Sequence, residues 1–361
     1  MTDEPSAFGE LSALAELADA ILGDLSTFER ICAAEASGGL DRGLWSALDR
    51  AGITALSVPE SAGGSGGGLP EAGTLLRAAG RFAAAAPIAE HALLAGWLLA
   101  SAGLRLPGGI VTAVAGGAVL TSGAGTWRAQ GTLTRVPWAS VAETVAVLAG
   151  DGARDYVLAI PVADCVVRPG TNVAGEPRDD VVLDVALSPD DVVQVADGLG
   201  PELELRGALG RSLLIAGAAE RALAMTVQYC GERTQFGRPI GSFQAVQQQV
   251  ALLAGEAVAA QAAAEAAVLT CDRLGFGAPE TFWAVGSAKA RTSEAAAAAA
   301  KIAHQVHGAL GFTLEHPLRL LTTRLWAWRD ECGGEAYWQE RLGARACVLG
   351  AAGSWQAITA S

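Results

Sequence analysis

Residues 233–244 read Arg-Thr-Gln-Phe-Gly-Arg-Pro-Ile-Gly-Ser-Phe-Gln and lie between two long alanine-rich stretches. Gly237, Pro239 and Gly241 exclude a helix here, because glycine loses the most backbone freedom on ordering and proline lacks an N–H and clashes with the preceding turn. The segment is therefore a loop joining two helices. Its side chains suit a dinucleotide: guanidinium groups for pyrophosphate from Arg233 and Arg238, an amide from Gln235, and a ring for stacking from Phe236. The plainer alternative is a capped helical hairpin with solvated arginines, since short Gly/Pro/Arg loops commonly join helices.

Around this loop the apolar spacing is helical. Residues 203–231, 243–272, 279–307 and 335–351 are long periodic segments, and 295–300 are six consecutive alanines, the best helix former. Such a set implies a bundle, with small side chains that let helices approach closely and leave flat apolar faces for another bundle to cover. Toward the N-terminus, residues 7–34 put Leu11, Leu14, Leu17 and Ile21 opposite Glu10, Glu16 and Asp19, the pattern of one or two amphipathic helices. A short helix over 41–51 ends at Gly52, and 75–102 reads as further helix on either side of Pro87. The glycine tract 63–68 lacks the Gly-Lys-Ser/Thr ending and the strand-to-helix setting of a phosphate loop and reads as a surface turn.

After Pro107 the character changes. Runs at 110–115, 118–121, 126–129, 144–148, 155–160, 165–167 and 181–185 are rich in Val, Ile, Thr and aromatics, and Gly, Pro or Asp separates most of them. That predicts a compact antiparallel sheet domain. The expected class is α+β in three parts: a helical domain over 1–107, a β domain over 108–200 and a helical bundle over 201–361.

Composition sets the bounds. At 361 residues the chain exceeds what one core usually serves, and 51% apolar against 17% charged residues excludes disorder. A net charge of −13 argues against nucleic acid or an anionic membrane as the main partner. The six cysteines show no metal spacing and suit a reducing compartment. His304 and His307 are three apart, yet no acid completes a ligand set, so no metal is expected. There is no Gly-x-Ser-x-Gly elbow. The N-terminal Met-Thr-Asp-Glu-Pro is acidic, unlike a signal peptide, and the apolar run 92–100 is too short to span a bilayer. A cytoplasmic protein with no membrane partner is expected.

The pattern Arg-x-x-Phe-Gly-x-Pro-Ile-x-x-Phe-Gln between long helices resembles the signature of the flavin-dependent acyl-CoA dehydrogenases. Gln305-Val306-His307-Gly308-Ala309-Leu310-Gly311-Phe312-Thr313, then Glu315-His316-Pro317 and Arg324, is similar to a later stretch of the same family. The resemblance covers residues 203–345 and implies an α, β, α domain order, an FAD cofactor and an acyl-CoA substrate. It implies that Arg233 holds the pyrophosphate of a neighbour's FAD, that Gln235 and Phe236 flank its adenosine, and that Gln244 supports the loop. Gln305 and Gly308 would contact the adenine side, while Ala309 stands where the family has a second glycine.

The same resemblance marks departures. The family's Thr-Glu-Pro-x-x-Gly-Ser-Asp type run, which holds the flavin ring, has no counterpart in 111–123, and Trp127 and Trp138 read as core residues. A carboxylate must take the α proton. Its family positions fall in 329–335, where Glu335 reaches the role only after a two-residue shift, or near 207–211, which holds no acid. Asp330, Glu331 and Glu335 otherwise read as a solvated turn or helix cap. The combination resembles subunits of the actinobacterial heteromeric type, which oxidise CoA thioesters of steroid side chains. This chain would then complete the FAD site of an unlike, acyl-CoA dehydrogenase-like partner. A homo-oligomeric enzyme using Glu335 and a non-catalytic structural subunit are the alternatives.

Overall fold

The computed structural model describes residues 7–123, 126–150 and 154–359, so the acidic N-terminal five residues lie outside it. The helices are α1 (Ala7–Leu25), α2 (Phe28–Ala36), α3 (Arg42–Arg50), α4 (Leu69–Arg81) and, after a π-helical stretch at Ala89–Gly96, α5 (Trp97–Ser101). The strands β1 (Val111–Ala115), β2 (Ala118–Gly123), β3 (Thr126–Pro137), β4 (Thr144–Gly150), β5 (Asp155–Pro161), β6 (Val166–Arg168), β7 (Arg178–Leu187) and β8 (Val192–Val195) follow. The remainder is α6 (Leu199–Glu232), the hairpin β9 (Thr234–Gln235) and β10 (Arg238–Pro239), α7 (Gln244–Leu274), α8 (Pro279–His307), α9 (Leu318–Asp330) and α10 (Glu335–Thr359). This is the α+β order that the apolar periodicities predict.

Contacts divide the chain into two compact units, each assembled from separate stretches. One holds Asp24–Ala72 and Ala85–Gly207. Its strands form two four-stranded sheets, ordered β1-β4-β5-β8 and β2-β3-β7-β6. Leu133, Val136, Val145, Val147, Leu158, Ile160 and Val181, none with exposed surface, fill the core of these strands. A second cluster joins Leu94, Leu98 and Leu99 to Val111, Ala146 and Val157. Strand β4 is thus apolar along its length rather than alternating, as a strand covered on both faces must be.

The sheets are antiparallel as expected except that β1 pairs in parallel with β4. The β2–β3 hairpin, in the other sheet, supplies the long connection that a parallel pair requires. Strand β3 runs past the expected 126–129 because a bulge between Leu133 and Val136 lets pairing with β7 resume. Trp138 is buried with Leu40, Trp45, Ile110 and Ala142. His91, edge-on to Trp45 at 5.0 Å, accepts the Val111 N–H at Nδ1 (3.2 Å). Burial pushes its pKa down to about 4.

The other unit holds the chain up to Gly23, Gly73–Ala84 and everything from Ala208. Helices α4 and α6 cross where glycines remove side chains: a Cβ at Gly80 would strike the Leu214 carbonyl, and one at Gly217 the Arg77 carbonyl. Arg81 bridges Asp19 and Glu220, tying α1, α4 and α6 together. Helix α7 is long and apolar enough to cross a membrane by composition. In this fold its stripe of Leu253, Ala257, Ala260, Ala264 and Ala267 is buried, with the small residues Ala288, Ala295, Ala296, Ala299 and Ala303 buried on α8. Helix α9 lies outside the expected segments, and α10 continues past 351 through a break at Gly350 (φ 68°).

Candidate functional site

The segment 233–244 is built as a tight β-hairpin set on the end of α6. The Arg233 N–H donates to the Tyr229 carbonyl (2.9 Å), and the Ile240 N–H to that of Arg233 (2.8 Å). Gln235 and Arg238 pair across the hairpin. The central residues, Phe236 (φ 51°) and Gly237 (φ 79°), are both left-handed, which is the requirement of a type I′ turn. Such a position favours Asn, Asp or Gly; phenylalanine there is strained and points to a task outside the hairpin.

The residue is 91% exposed, and its ring meets the edge of Phe243 at 6.1 Å between centroids. The Arg238 guanidinium lies 4.2 Å over the Phe243 ring, and Gln247 Nε2 donates to the Gly241 carbonyl (3.0 Å), bracing the return into α7. Between the hairpin, the start of α7 and the end of α8 is a cleft of about 300 Å³. Gln235, Phe236 and Phe243 line it beside Gln249 of α7 and Gln305 of α8. Two rings and three amides give it stacking faces and both donors and acceptors, and the N-terminus of α7 adds a positive dipole end.

Arg233 and Gln244 are exposed at the hairpin base and at the first residue of α7. Arg233 has no ion-pair partner among the described residues. Gly308 (φ 62°) ends α8 and is exposed, starting a 3-10 turn that runs to Phe312. Gln249 is a polar lining residue that pattern reading did not single out; the glutamine run 247–249 was its signal.

A second constellation lies where α6, α8 and α9 converge. Arg211 Nε donates to Glu331 Oε2 (2.8 Å) with both side chains largely buried. Lys289, with no exposed surface, donates from Nζ to Ser293 Oγ (3.0 Å) and to the Arg329 carbonyl (2.8 Å). Burial pushes its pKa down to about 8. Glu335 is half-buried at the first residue of α10 and accepts from Gln339 Nε2 (3.0 Å). In the sheet-bearing unit, the hydroxyl of Thr112, at the start of the run compared with the flavin-ring motif, donates to the Pro137 carbonyl (2.6 Å).

Comparison with known proteins places this frame. The family described as "Acyl-CoA dehydrogenase, C-terminal domain" matches residues 206–329. The acyl-CoA dehydrogenase IpdE2 of Mycobacterium tuberculosis is 30% identical over 297 residues, 79% of this chain and 81% of that protein. FadE27 of the same organism is 34% identical over 252 residues, which cover 58% of this chain and 62% of FadE27. Among solved structures, the ChsE4-ChsE5 complex from Mycobacterium tuberculosis contains a chain matched with a TM-score of 0.87 at 26% identity, covering 96% of this chain and 100% of that one. The Tcur3481-Tcur3483 steroid ACAD matches with a TM-score of 0.83 at 26% identity, covering 95% and 99%. The chain belongs to the acyl-CoA dehydrogenases, a family of FAD-dependent oxidoreductases.

Proposed function

We propose that this chain is one subunit of a heteromeric acyl-CoA dehydrogenase and contributes the contacts to the adenine and pyrophosphate half of an FAD seated largely in an unlike partner. The observation that carries the reading is the cleft that brings Gln235, Phe236 and Gln305 together beneath a strained, outward-facing ring. In it Arg233 engages the pyrophosphate, Gln235 and Phe236 flank the adenosine, Gln305 and Gly308 meet the adenine side, and Gln244 holds the hairpin in place. The nucleotide half of FAD fits these residues; the donors of a ring site do not recur in 111–123, where the Thr112 hydroxyl is already engaged.

A bound flavin supplies the acceptor for the β-hydride as the α proton of a CoA thioester is removed. Similarity to the ChsE4-ChsE5 complex and to a steroid ACAD pair supports an unlike partner and a steroid or fatty acyl thioester. The same reading assigns residues 1–107 and 108–200 to the helical and β domains, 201–361 to cofactor contact and assembly, and the complex to the cytoplasm.

The test is to express the chain alone and with the product of the adjacent reading frame, then measure flavin absorbance and thioester oxidation. Flavin and turnover are expected only in the co-expressed complex, with flavin lost on Arg233→Ala. A lone chain that is yellow and active would replace this reading with a homo-oligomeric enzyme. A complex that keeps its flavin after Arg233→Ala would leave this subunit a scaffold.

A further inference from the structure

Three of the chain's four histidines gather beside the cleft, at the end of α8 and in the turn that follows it. The Phe312 ring of the turn stacks on His304 at 4.1 Å and 16°, and Trp326 of α9 lies along the same imidazole at 5.6 Å and 22°. One turn further on, His307 stacks on Tyr229 of α6 at 4.4 Å and 20° and meets the edge of His316 at 5.2 Å. Gly311 lets the turn lie flat on this pair, because a Cβ there would come within 2.9 Å of His307 Cβ and 3.3 Å of His304 Nδ1. Leu310, Phe312 and Leu314 are all exposed, so the turn buries little apolar surface of its own. We propose that His304, His307 and His316 are positioning residues, a clasp that holds the turn from Gly308 to His316 against α8 and α9 and so fixes the Gln305–Val306 side of the cleft.

The hydrogen bonds set the proton positions. His307 Nδ1 lies 2.8 Å from the Ala303 carbonyl, which can only accept, so that nitrogen carries the proton. His316 Nδ1 accepts the Leu318 N–H (3.2 Å) and must be bare; a second proton on that ring removes the bond. Burial lowers the pKa of all three rings, and the charges of neighbouring imidazoles lower them further: His316 on His304, His304 on His307, and His307 on His316. The charged residues nearest these rings along the packed segments are Lys301 on α8, Glu315 in the turn, Arg319 and Arg324 on α9, and Glu232 and Arg233 beyond Tyr229. Arg319 Nε donates to the Leu314 carbonyl (2.9 Å), a tie that does not titrate in this range.

The closed turn therefore holds its histidines neutral, and the open turn binds protons first. The clasp is at full strength above the ordinary histidine value of 6.5 and weakens as pH falls below it. Its bearing on cofactor retention rests on the function proposed above; the clasp itself does not.

Hydrogen–deuterium exchange of the full chain at about pH 7.5 and about pH 5.5, corrected for intrinsic rates, tests the clasp. In the wild type, protection of amides 309–316 should fall severalfold on acidification, because the open turn takes up protons that the closed turn excludes. In His304→Phe/His307→Phe, which keeps the rings and leaves only His316 to titrate, the fall should be smaller than in the wild type. A wild-type turn equally protected at both pH values overturns the inference, as does a doubly substituted turn that opens like the wild type. Should that variant not fold, ring-carbon NMR of the wild type decides. Coupled titrations of three rings below the free value are required, and three independent, ordinary titrations would refute the clasp. Flavin absorbance of the co-expressed complex measured in parallel separates the two ideas: a complex that keeps its flavin after Arg233→Ala sinks the nucleotide reading while leaving the exchange result intact.

Discussion

Replacing Phe236 by glycine separates the two tasks a residue at a hairpin tip can have. The ring is 91% exposed, so its loss removes almost no burial from the chain, and the roughly 3–5 kcal/mol of a buried Phe truncation does not apply. Its φ of 51° costs an L-residue roughly 1–2 kcal/mol, which glycine escapes, against roughly 0.5–1 kcal/mol of added freedom in the unfolded chain. The two nearly cancel. Stability of the lone chain should move by less than about 1 kcal/mol, or about 2 °C in Tm for a chain of this size.

On the function proposed above, the same ring covers a nucleotide in the assembled enzyme. Burying about 100 Å² of it at ~25 cal/mol/Å² gives about 2.5 kcal/mol, so flavin affinity should fall by between one and two powers of ten. Chemical denaturation of the lone chain and flavin absorbance of the dialysed complex are the assays. A variant that melts several degrees lower while keeping its flavin would show the ring to be a structural element of this chain and would refute the reasoning.

Gly217→Ala should destabilise by about 3 kcal/mol in urea denaturation, because the added methyl meets the Arg77 carbonyl across the α4–α6 crossing. Gly255→Ala, an exposed site in α7 with open space around it, should instead stabilise by about 0.5–1 kcal/mol. His91 stays neutral when folded down to about pH 4 but takes up its proton near 6.5 when unfolded. Wild type should therefore lose up to about 3 kcal/mol relative to His91→Gln as pH falls through that window, measured by parallel denaturation. Lys289 shifts in the same direction at higher pH: its folded pKa of about 8 is below the unfolded 10.5. Wild type should gain up to about 3 kcal/mol on Lys289→Met as pH rises between those values, and a flat difference would show that the ammonium is not buried.

The fold was legible where the chemistry is local. Gly237, Pro239 and Gly241 break the helix whatever surrounds them, and short β-branched runs between turn residues form strands. Less legible were features set by distant partners. The β1–β4 pair is parallel because of where a hairpin goes, and β8 is too short and polar at Gln194 to stand out. The compact units interleave early and late stretches, since α1 and α4 meet α6 through glycines and an arginine whose partners are far along the chain. At the cleft, the pattern named residues of the loop and of α8 that the structure does bring together, but not Gln249, which only the antiparallel approach of α7 and α8 places opposite Gln305. The histidine clasp was hidden for the same reason. Spacing puts His304 and His307 near each other, whereas their stacking partners come from α6, α9 and the turn.

The family resemblance offers two stretches for the carboxylate base, and the Arg211–Glu331 bond shows that they meet in this fold. Two alternative homes for one proton acceptor have to converge on one place. Here that place holds a guanidinium bonded to a carboxylate, with the Lys289 ammonium acting on both. For Glu331 to accept an α proton it would have to give up its charge beside Arg211, and breaking a buried pair costs about 3–5 kcal/mol. Added to a barrier, that is a loss of two to nearly four powers of ten in rate, at about 1.4 kcal/mol each. Of the other acids of that stretch, Asp330 is paired with Arg329, and Glu335 starts a helix and is engaged by Gln339. A chain arranged in this way makes a poor base of its own carboxylates and presents a well-formed nucleotide cleft outward. On the function proposed above, the proton acceptor and the ring site fall to the partner and the nucleotide grip to this chain, and neither polypeptide alone is expected to turn over.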